Sequence, residues 1–212
     1  MKKISSLLLI VFGFITLSGM AVFAADEKPA ASAVAPAVDK VSQDAMMEKM
    51  KQMMSPSAAH KILEPLAGKW TYTSKFWSSK DGKAEETAGT SDQAIVFGGR
   101  FLKIDVKGTW MGQPFEGIGY TGYDNIKQEY VSTWLDSMAT GIMTDSGQYD
   151  EATKTLRTSG TCSCPLTGEK ARPHRAEWTI TDNDHNTYAT YLKNSDGTEF
   201  KAMEINYERV KA

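Results

Sequence analysis

The stretch FEGIGYTGYDNIKQEYVSTWLD, residues 115–136, decides the fold class of this chain. It contains two segments rich in aromatic, β-branched and glycine residues, and a short polar stretch, DNIK, separates them. In the second segment Tyr130, Ser132 and Trp134 point to one face of an extended strand, and the residues between them point to the other. Two extended segments with a turn between them predict a β-hairpin.

The same pattern continues on both sides of this hairpin, from Lys69 to the end of the chain. About ten β segments follow one another at a spacing of roughly 8–14 residues, which is typical of an all-β sandwich or barrel. No run long enough for a crossover helix interrupts them, so each connection is predicted to be a hairpin. The apolar residues of the last segment change parity near Ala202, which predicts a β-bulge there. We therefore expect an all-β, up-and-down antiparallel barrel over residues 68–212, wide enough to leave an interior cavity.

Three segments of different composition precede the β region. Residues 1–24 have two lysines, a short apolar core and small residues at the cleavage point, which is typical of a signal peptide. Residues 25–42 are rich in alanine and proline and are predicted to be a disordered tether. Residues 43–67 are predicted to form short helices, the second capped by Ser55 with Pro56 at its first position. We expect an exported protein, periplasmic or secreted, with no membrane segment after cleavage.

The overall composition limits the classes of partner and activity. The formal net charge is −2, with 24 basic and 26 acidic residues, so nothing favours nucleic acid or an anionic membrane surface as a partner. No nucleophile-elbow, P-loop or dinucleotide-binding motif occurs, and the three histidines lack metal-ligand spacing. No catalytic set and no cofactor site are therefore predicted.

Five motifs occur in a fixed order along the chain. They are His60, Leu63, Leu66, Gly68 and Trp70 of HKILEPLAGKW, FGGRFL (97–102), FEGIGYTGYDN (115–125), YVSTWLDSM (130–138) and EFKAMEINYERV (199–210). With these motifs the chain resembles domain-of-unknown-function family 1579, a family of secreted bacterial proteins. The resemblance implies a lipocalin-like (calycin) barrel and no established activity. Gly68 and Trp70 at the start and Arg209 near the end also resemble the wider calycin family pattern, which implies that Arg209 stacks on Trp70 and closes the base of the barrel.

The chain departs from that family at Cys162 and Cys164, its two cysteines. Residues two apart on a strand have Cα atoms about 6.5–7 Å apart, near the upper limit for a disulfide, but a bend before Pro165 would bring them closer. A local disulfide or thiol pair, a Cu(I) or Zn(II) site and a thiol-redox role all fit the pair. His174 is expected opposite Ser159, on the wrong face to complete a metal site.

A cluster of methionines precedes the barrel, in which Met50 and Met53 share one face of the first predicted helix. Thioethers bind Cu(I), so Met50 and Met53 with Cys162 and Cys164 form an alternative metal set. An amphipathic helix that covers one end of a barrel would use the same residues.

Aromatic side chains give the remaining functional signal. The candidate ligand-binding residues are Trp110, Tyr120, Tyr130, Trp134 and Trp178, which either line a cavity or fill the core. The leading hypothesis is a binding protein for a small apolar or amphipathic molecule. The alternative is a periplasmic copper-binding or thiol-redox protein that uses the cysteine pair and the methionine-rich helix.

Overall fold

A computed structural model describes residues 40–164, 168–194 and 196–211. The predicted signal peptide (1–24) and all but the last three residues of the predicted tether (25–42) lie outside the described residues. The helical elements are α1 (Lys40–Met54), α2 (Ala58–Lys61) and a 3-10 turn (Glu64–Leu66). The strands are β1 (Gly68–Phe76), β2 (Glu85–Val96), β3 (Phe101–Trp110), β4 (Gln113–Asp124), β5 (Glu129–Asp136), β6 (Met143–Asp150), β7 (Thr155–Cys162), β8 (Arg172–Ile180), β9 (His185–Lys193) and β10 (Glu199–Arg209).

The ten strands form one closed barrel in which each strand pairs antiparallel with its neighbours in sequence. β1 pairs with β10, from Trp70 opposite Arg209 to Phe76 opposite Met203, and this pairing closes the sheet. The register between β10 and β9 shifts between Lys201 and Met203, which confirms the bulge expected near Ala202. The predicted up-and-down barrel is confirmed.

The barrel has two different ends. The β2–β3, β4–β5, β6–β7 and β8–β9 turns lie at the same end as the start of β1, which we call the base. The other five turns form the opposite end, which we call the mouth. At the mouth, β3 and β4 are joined by Met111 and Gly112, both at positive φ (48° and 75°). This is the two-residue turn that suits the right-handed twist of a hairpin.

Trp70 and Arg209 close the base. Trp70 is 1% exposed, and its Nε1 donates to Leu66 O at 2.8 Å. The Arg209 guanidinium carbon lies 4.0 Å from the centre of the Trp70 ring, as the family resemblance implied. Its Nη1 and Nη2 donate to Ala67 O and Pro65 O at 2.7 and 2.6 Å, which binds the last strand to the segment before the first.

The N-terminal helices differ in their boundaries from the prediction. α1 begins at Lys40, inside the last residues of the predicted tether. Ser55 does not cap the second helix, because its Oγ donates back to Lys51 O at 2.7 Å and so ends α1. Ser57 takes the capping position of α2, and its backbone N–H donates to His60 Nδ1 at 2.9 Å. Within the described part of the chain, no helix is both long and apolar enough to span a membrane.

Candidate functional site

A cavity of about 440 Å³ lies inside the barrel, towards its mouth. Its wall is mostly apolar and includes side chains from most of the strands. The apolar part of the wall includes Phe76, Ile104, Val106, Trp110, Phe115, Trp134, Met138, Met143, Leu156, Trp178, Leu192, Met203 and Ile205. The volume is within the range of small-molecule sites in proteins, about 300–1,000 Å³.

Three of the five predicted ligand-binding residues line this cavity: Trp110, Trp134 and Trp178. Trp110 packs edge-on against Phe76 at the mouth, with ring centres 4.7 Å apart. Trp178 lies deeper and is fixed by its Nε1, which donates to Asn186 Oδ1 at 2.7 Å. The tryptophans thus reach from the mouth to the buried core.

The prediction was wrong for Tyr120 and Tyr130, which do not line the cavity. Tyr120 lies on β4 between Gly119 and Thr121, which do line it, so alternation turns Tyr120 outward. Tyr130 is buried at the base, where its hydroxyl donates to Ala59 O at 2.8 Å. Burial raises the pKa of Tyr130 to about 12, so its hydroxyl stays protonated and holds α2 on the barrel.

Trp134 lies flat against the neighbouring strand because that strand has glycines beneath it. A Cβ at Gly117 would be 2.3 Å from the indole of Trp134, and one at Gly119 would be 3.0 Å away. The indole Nε1 donates to Asp136 Oδ2 at 2.8 Å. The glycine pattern of residues 115–136 therefore makes room for one wall of the cavity.

A polar pair interrupts the apolar wall. His174 Nε2 on β8 lies 2.9 Å from Asp145 Oδ1 on β6, and the two side chains are 6% and 10% exposed. They belong to different strands with β7 between them, and they meet over Gly160. A Cβ at Gly160 would lie 2.2 Å from Asp145 Oδ1, so this contact requires a glycine.

The polar pair has unused hydrogen-bonding capacity. His174 Nδ1 and Asp145 Oδ1 are both buried without a hydrogen-bond partner. His174 Nε2 and Asp145 Oδ1 are therefore in close contact at 2.9 Å without forming an aligned hydrogen bond. A buried polar atom without a partner costs about 1–3 kcal/mol, so the pair is held in place by the packing around it.

The register of β8 places His174 on the inner face of the barrel, so the prediction that it lies opposite Ser159 on the other face was wrong. His174 pairs with Gly160 and not with Ser159, and it lines the cavity together with Cys162. Cys164 N donates to Glu169 O at 2.9 Å, and an unbroken register from this pair would place His174 opposite Ser159. The next pair is Cys162 with Arg172. One residue separates Cys162 from Cys164, but two residues separate Glu169 from Arg172. This extra residue shifts the register by one and turns His174 inward.

Cys162 and Cys164 are thiols, and no disulfide joins them. Burial raises the pKa of the Cys162 thiol, Cys164 adds to the effect, and the charge of Arg172 opposes it. Arg172 Nη1 lies 3.8 Å from Cys164 Sγ. A raised pKa lowers the thiolate fraction of Cys162 and so its reactivity as a nucleophile.

The structure separates the four residues of the predicted metal set. Met50 and Met53 are 49% and 41% exposed on α1, and the end of α1 is held at the base by Asn125, which donates to Met53 O at 2.9 Å. Cys162 and Cys164 lie at the mouth, where β7 ends. One ion cannot contact both pairs, so the copper site built from all four was wrong. Within the described ranges, no group of three or more His, Cys, Asp or Glu side chains could hold a metal ion.

A family model described as "Protein of unknown function (DUF1579)" matches residues 55–209, which is most of the chain. The chain belongs to this family. The match contains all five motifs except the last residue of the fifth, and the closed barrel agrees with the lipocalin-like fold that the resemblance implied. A comparison with curated proteins gives no match.

Two solved structures show the same fold at low identity. The structure of Rv2717c from M. tuberculosis has a TM-score of 0.54 and 15% identity, with 74% of this chain and 100% of that chain covered. The S-type phycobiliprotein lyase CPES from Guillardia theta has a TM-score of 0.50 and 12% identity, with 78% and 98% covered. At such identities the likeness shows the barrel and nothing finer.

The Asp145–His174 pair was not predicted from the sequence. One signal for it was present, because Gly160 lies inside a predicted strand, where glycine often marks the close approach of another group. The residue that approaches comes from a neighbouring strand, and it could be found only once the register was known.

Proposed function

We propose that this protein binds a small apolar or amphipathic molecule inside the barrel. The observation that carries the proposal is the cavity of about 440 Å³, whose wall contains Trp110, Trp134 and Trp178. When an apolar molecule fills such a space, its own surface and the apolar surface of the cavity wall are both removed from water. This is favourable in proportion to the area buried.

The contrast between the two ends of the barrel supports this proposal. At the base the core is filled, with Leu63, Leu66 and Leu102 at most 2% exposed. Towards the mouth the inward side chains leave space between them. Protein interiors are otherwise packed to the density of organic crystals, so a cavity of this size is a feature to be explained.

Exposed apolar side chains surround the entrance to the cavity. Met111 in the β3–β4 turn is 71% exposed, and Met138 and Ile142 between β5 and β6 are 52% and 67% exposed. Apolar residues at a rim favour the arrival of an apolar molecule, because they shield it from water before it enters. The mouth is therefore the proposed route of entry.

A calorimetric titration with dodecanol tests the proposal. Wild-type protein is expected to bind the alcohol, and Thr190→Trp, which fills the cavity, is expected to weaken binding by at least about ten-fold. Thr187→Trp is the matched control, since Thr187 is on the same strand but at an odd number of positions from the lining residues Tyr188 and Thr190, so that alternation places it on the opposite face. No binding by the wild type, or equal losses in both variants, would contradict the proposal.

We propose further that the protein acts after export, on the sequence pattern of residues 1–24. Mass measurement of the protein from the periplasmic and extracellular fractions of an expressing bacterium tests this. A chain that begins after Ala24 supports export, and a full-length chain confined to the cytoplasm contradicts it.

A further inference from the structure

The polar pair in the cavity wall suggests which chemical class of molecule the cavity takes, and this inference rests on the proposed function. Asp145 and His174 are both at least nine-tenths buried, and both line the cavity. His174 Nδ1 has no hydrogen-bond partner, and neither has the Asp145 oxygen that faces the imidazole. These two atoms have almost no accessible surface, so what the pair presents to the cavity is the rest of the carboxylate and the imidazole, in a wall that is otherwise mostly apolar.

The charge of the wall decides between kinds of polar end. The carboxyl and imidazole groups of the wall belong to Asp136, Asp145 and His174, and no lysine or arginine is among the lining residues of the described chain. The Asp145–His174 pair has a charge of −1 when the imidazole is neutral and zero when it is protonated. In neither state does it offer a net positive charge to an anion.

Arg172 on β8 pairs with the lining residue Cys162, and its guanidinium is engaged elsewhere. Its Nη2 donates to Lys193 O at 2.9 Å, its Nη1 lies 3.8 Å from Cys164 Sγ, and its Nε lies 3.7 Å from Glu169. A carboxylate or phosphate in the cavity would therefore lose its water without gaining a cationic partner, which is strongly unfavourable. An ammonium group or a hydroxyl would instead lie in a wall whose charged groups are carboxylates, Asp136 and Asp145.

We propose that the cavity selects amphipathic molecules whose polar end is cationic or neutral and donates hydrogen bonds to the Asp145–His174 pair, and that it rejects anionic amphiphiles. The apolar body lies against the tryptophans, and the polar end lies over Gly160, where the pair meets. Asp145 and His174 are then the residues that determine specificity.

Three probes that differ only in the polar end test this inference by calorimetry: dodecylamine, dodecanol and dodecanoate. The amine and the alcohol are expected to bind at least about ten-fold more tightly than the carboxylate, because a buried carboxylate without a partner is costly. Equal binding of all three, or tighter binding of dodecanoate, would overturn the inference and leave the proposed function intact. Binding of none would overturn the proposed function and the inference with it.

A pair of variants assigns the preference to the polar pair. Asp145→Asn removes the charge and is expected to reduce the ratio of amine to carboxylate affinity by about ten-fold. Asp182→Asn is the matched control, because Asp182 also contacts a histidine, His185, at 2.9 Å but on the surface, and the ratio is expected to stay unchanged. An unchanged ratio in a folded Asp145→Asn protein would refute the assignment, and if that variant does not fold, the wild-type ratio among the three probes still decides the inference.

Discussion

Gly160 shows at the scale of one residue how the absence of a side chain builds a site. Its place between Asp145 and His174 lets groups from two non-adjacent strands touch across a third. A methyl group there would lie 2.2 Å from Asp145 Oδ1 and 2.4 Å from Thr144 O. Thr144 O is a backbone atom and cannot move aside easily. Packing as well as the polar contact therefore requires glycine at position 160.

Gly160→Ala is therefore expected to destabilise the protein by about 1–3 kcal/mol, the usual cost of an overpacked site. Urea unfolding followed by circular dichroism measures the change. Gly141→Ala is the control, because a Cβ at Gly141 meets no atom within 4 Å. Equal stability of the two variants would mean that β7 is not packed as described.

Arg209 is the second residue on which the structure places a specific demand. Three of its nitrogens donate to the carbonyls of Ala67, Pro65 and Asn183, and its plane lies over Trp70. Arg209→Ala is expected to cost about 1–3 kcal/mol from the lost stacking and the unpaired carbonyls. Arg209→Lys is expected to recover little, since an ammonium cannot reproduce the planar fork.

Thermal and urea denaturation of these variants test the base, with Lys107→Ala as the control. Lys107 is exposed and lies 3.4 Å from Glu116, so its loss is expected to change stability by no more than about 0.5 kcal/mol. An Arg209→Ala protein as stable as Lys107→Ala would show that the base does not depend on this arginine.

At the scale of elements, α2 is held on the barrel by a histidine that must stay neutral. His60 is 6% exposed, its Nδ1 accepts from Ser57 N–H, and its ring packs edge-on against Tyr123. Burial lowers the pKa of His60 below its ordinary value of 6.5, and the charge of Arg100 lowers it further. Protonation of Nδ1 would remove the acceptor for Ser57.

The pH dependence follows from the direction of this shift. The unfolded chain binds the proton more tightly than the folded chain, so the contribution of His60 is complete above pH 6.5 and is lost as the pH falls through the folded pKa. His60→Gln is expected to flatten the stability profile between neutral pH and about pH 5. His185→Gln, at an exposed histidine, should leave the slope of the wild type unchanged. Unfolding midpoints at several pH values measure both, and identical slopes in all three proteins would contradict the role of His60.

The strands and their turns could be predicted from the sequence. Alternation along residues 115–136 and the turns between segments were enough to predict antiparallel hairpins, and the number of hairpins favoured closure. The contact of Arg209 with Trp70 came from the family resemblance and not from any pattern in the residues. These features depend on local spacing or on a shared motif, and both are visible in one sequence.

The cavity wall depends on register and depth, which local patterns do not determine. One extra residue between Glu169 and Arg172 turned His174 from outside to inside, because a shift of one position exchanges the faces of a strand. Tyr130 and Trp134 share one face of β5, yet the first is packed at the base and the second lines the cavity. Where along the barrel the filled core ends is set by the side chains of all ten strands together.

At the scale of the whole molecule, the barrel has a filled core at one end and a cavity towards the other. The base has the buried leucines, the Trp70–Arg209 contact and the α2 attachment. The mouth has the cavity, the polar pair and the exposed apolar rim. Since the two sets of residues lie at opposite ends of the barrel, substitutions at the base are expected to change stability without changing binding.

The chain has five tryptophans, some in the cavity wall and some outside it. Their indole N–H signals therefore test directly whether a ligand occupies the cavity. Trp110, Trp134 and Trp178 line it, whereas Trp70 is in the base and Trp77 is outside the wall. Protein labelled with nitrogen-15 tryptophan is titrated with dodecanol and followed by NMR. The indole N–H signals of Trp110, Trp134 and Trp178 are expected to shift and saturate together, while those of Trp70 and Trp77 stay in place. Signals that do not move, or a shift confined to Trp77 and Trp70, would contradict the proposed binding in the cavity.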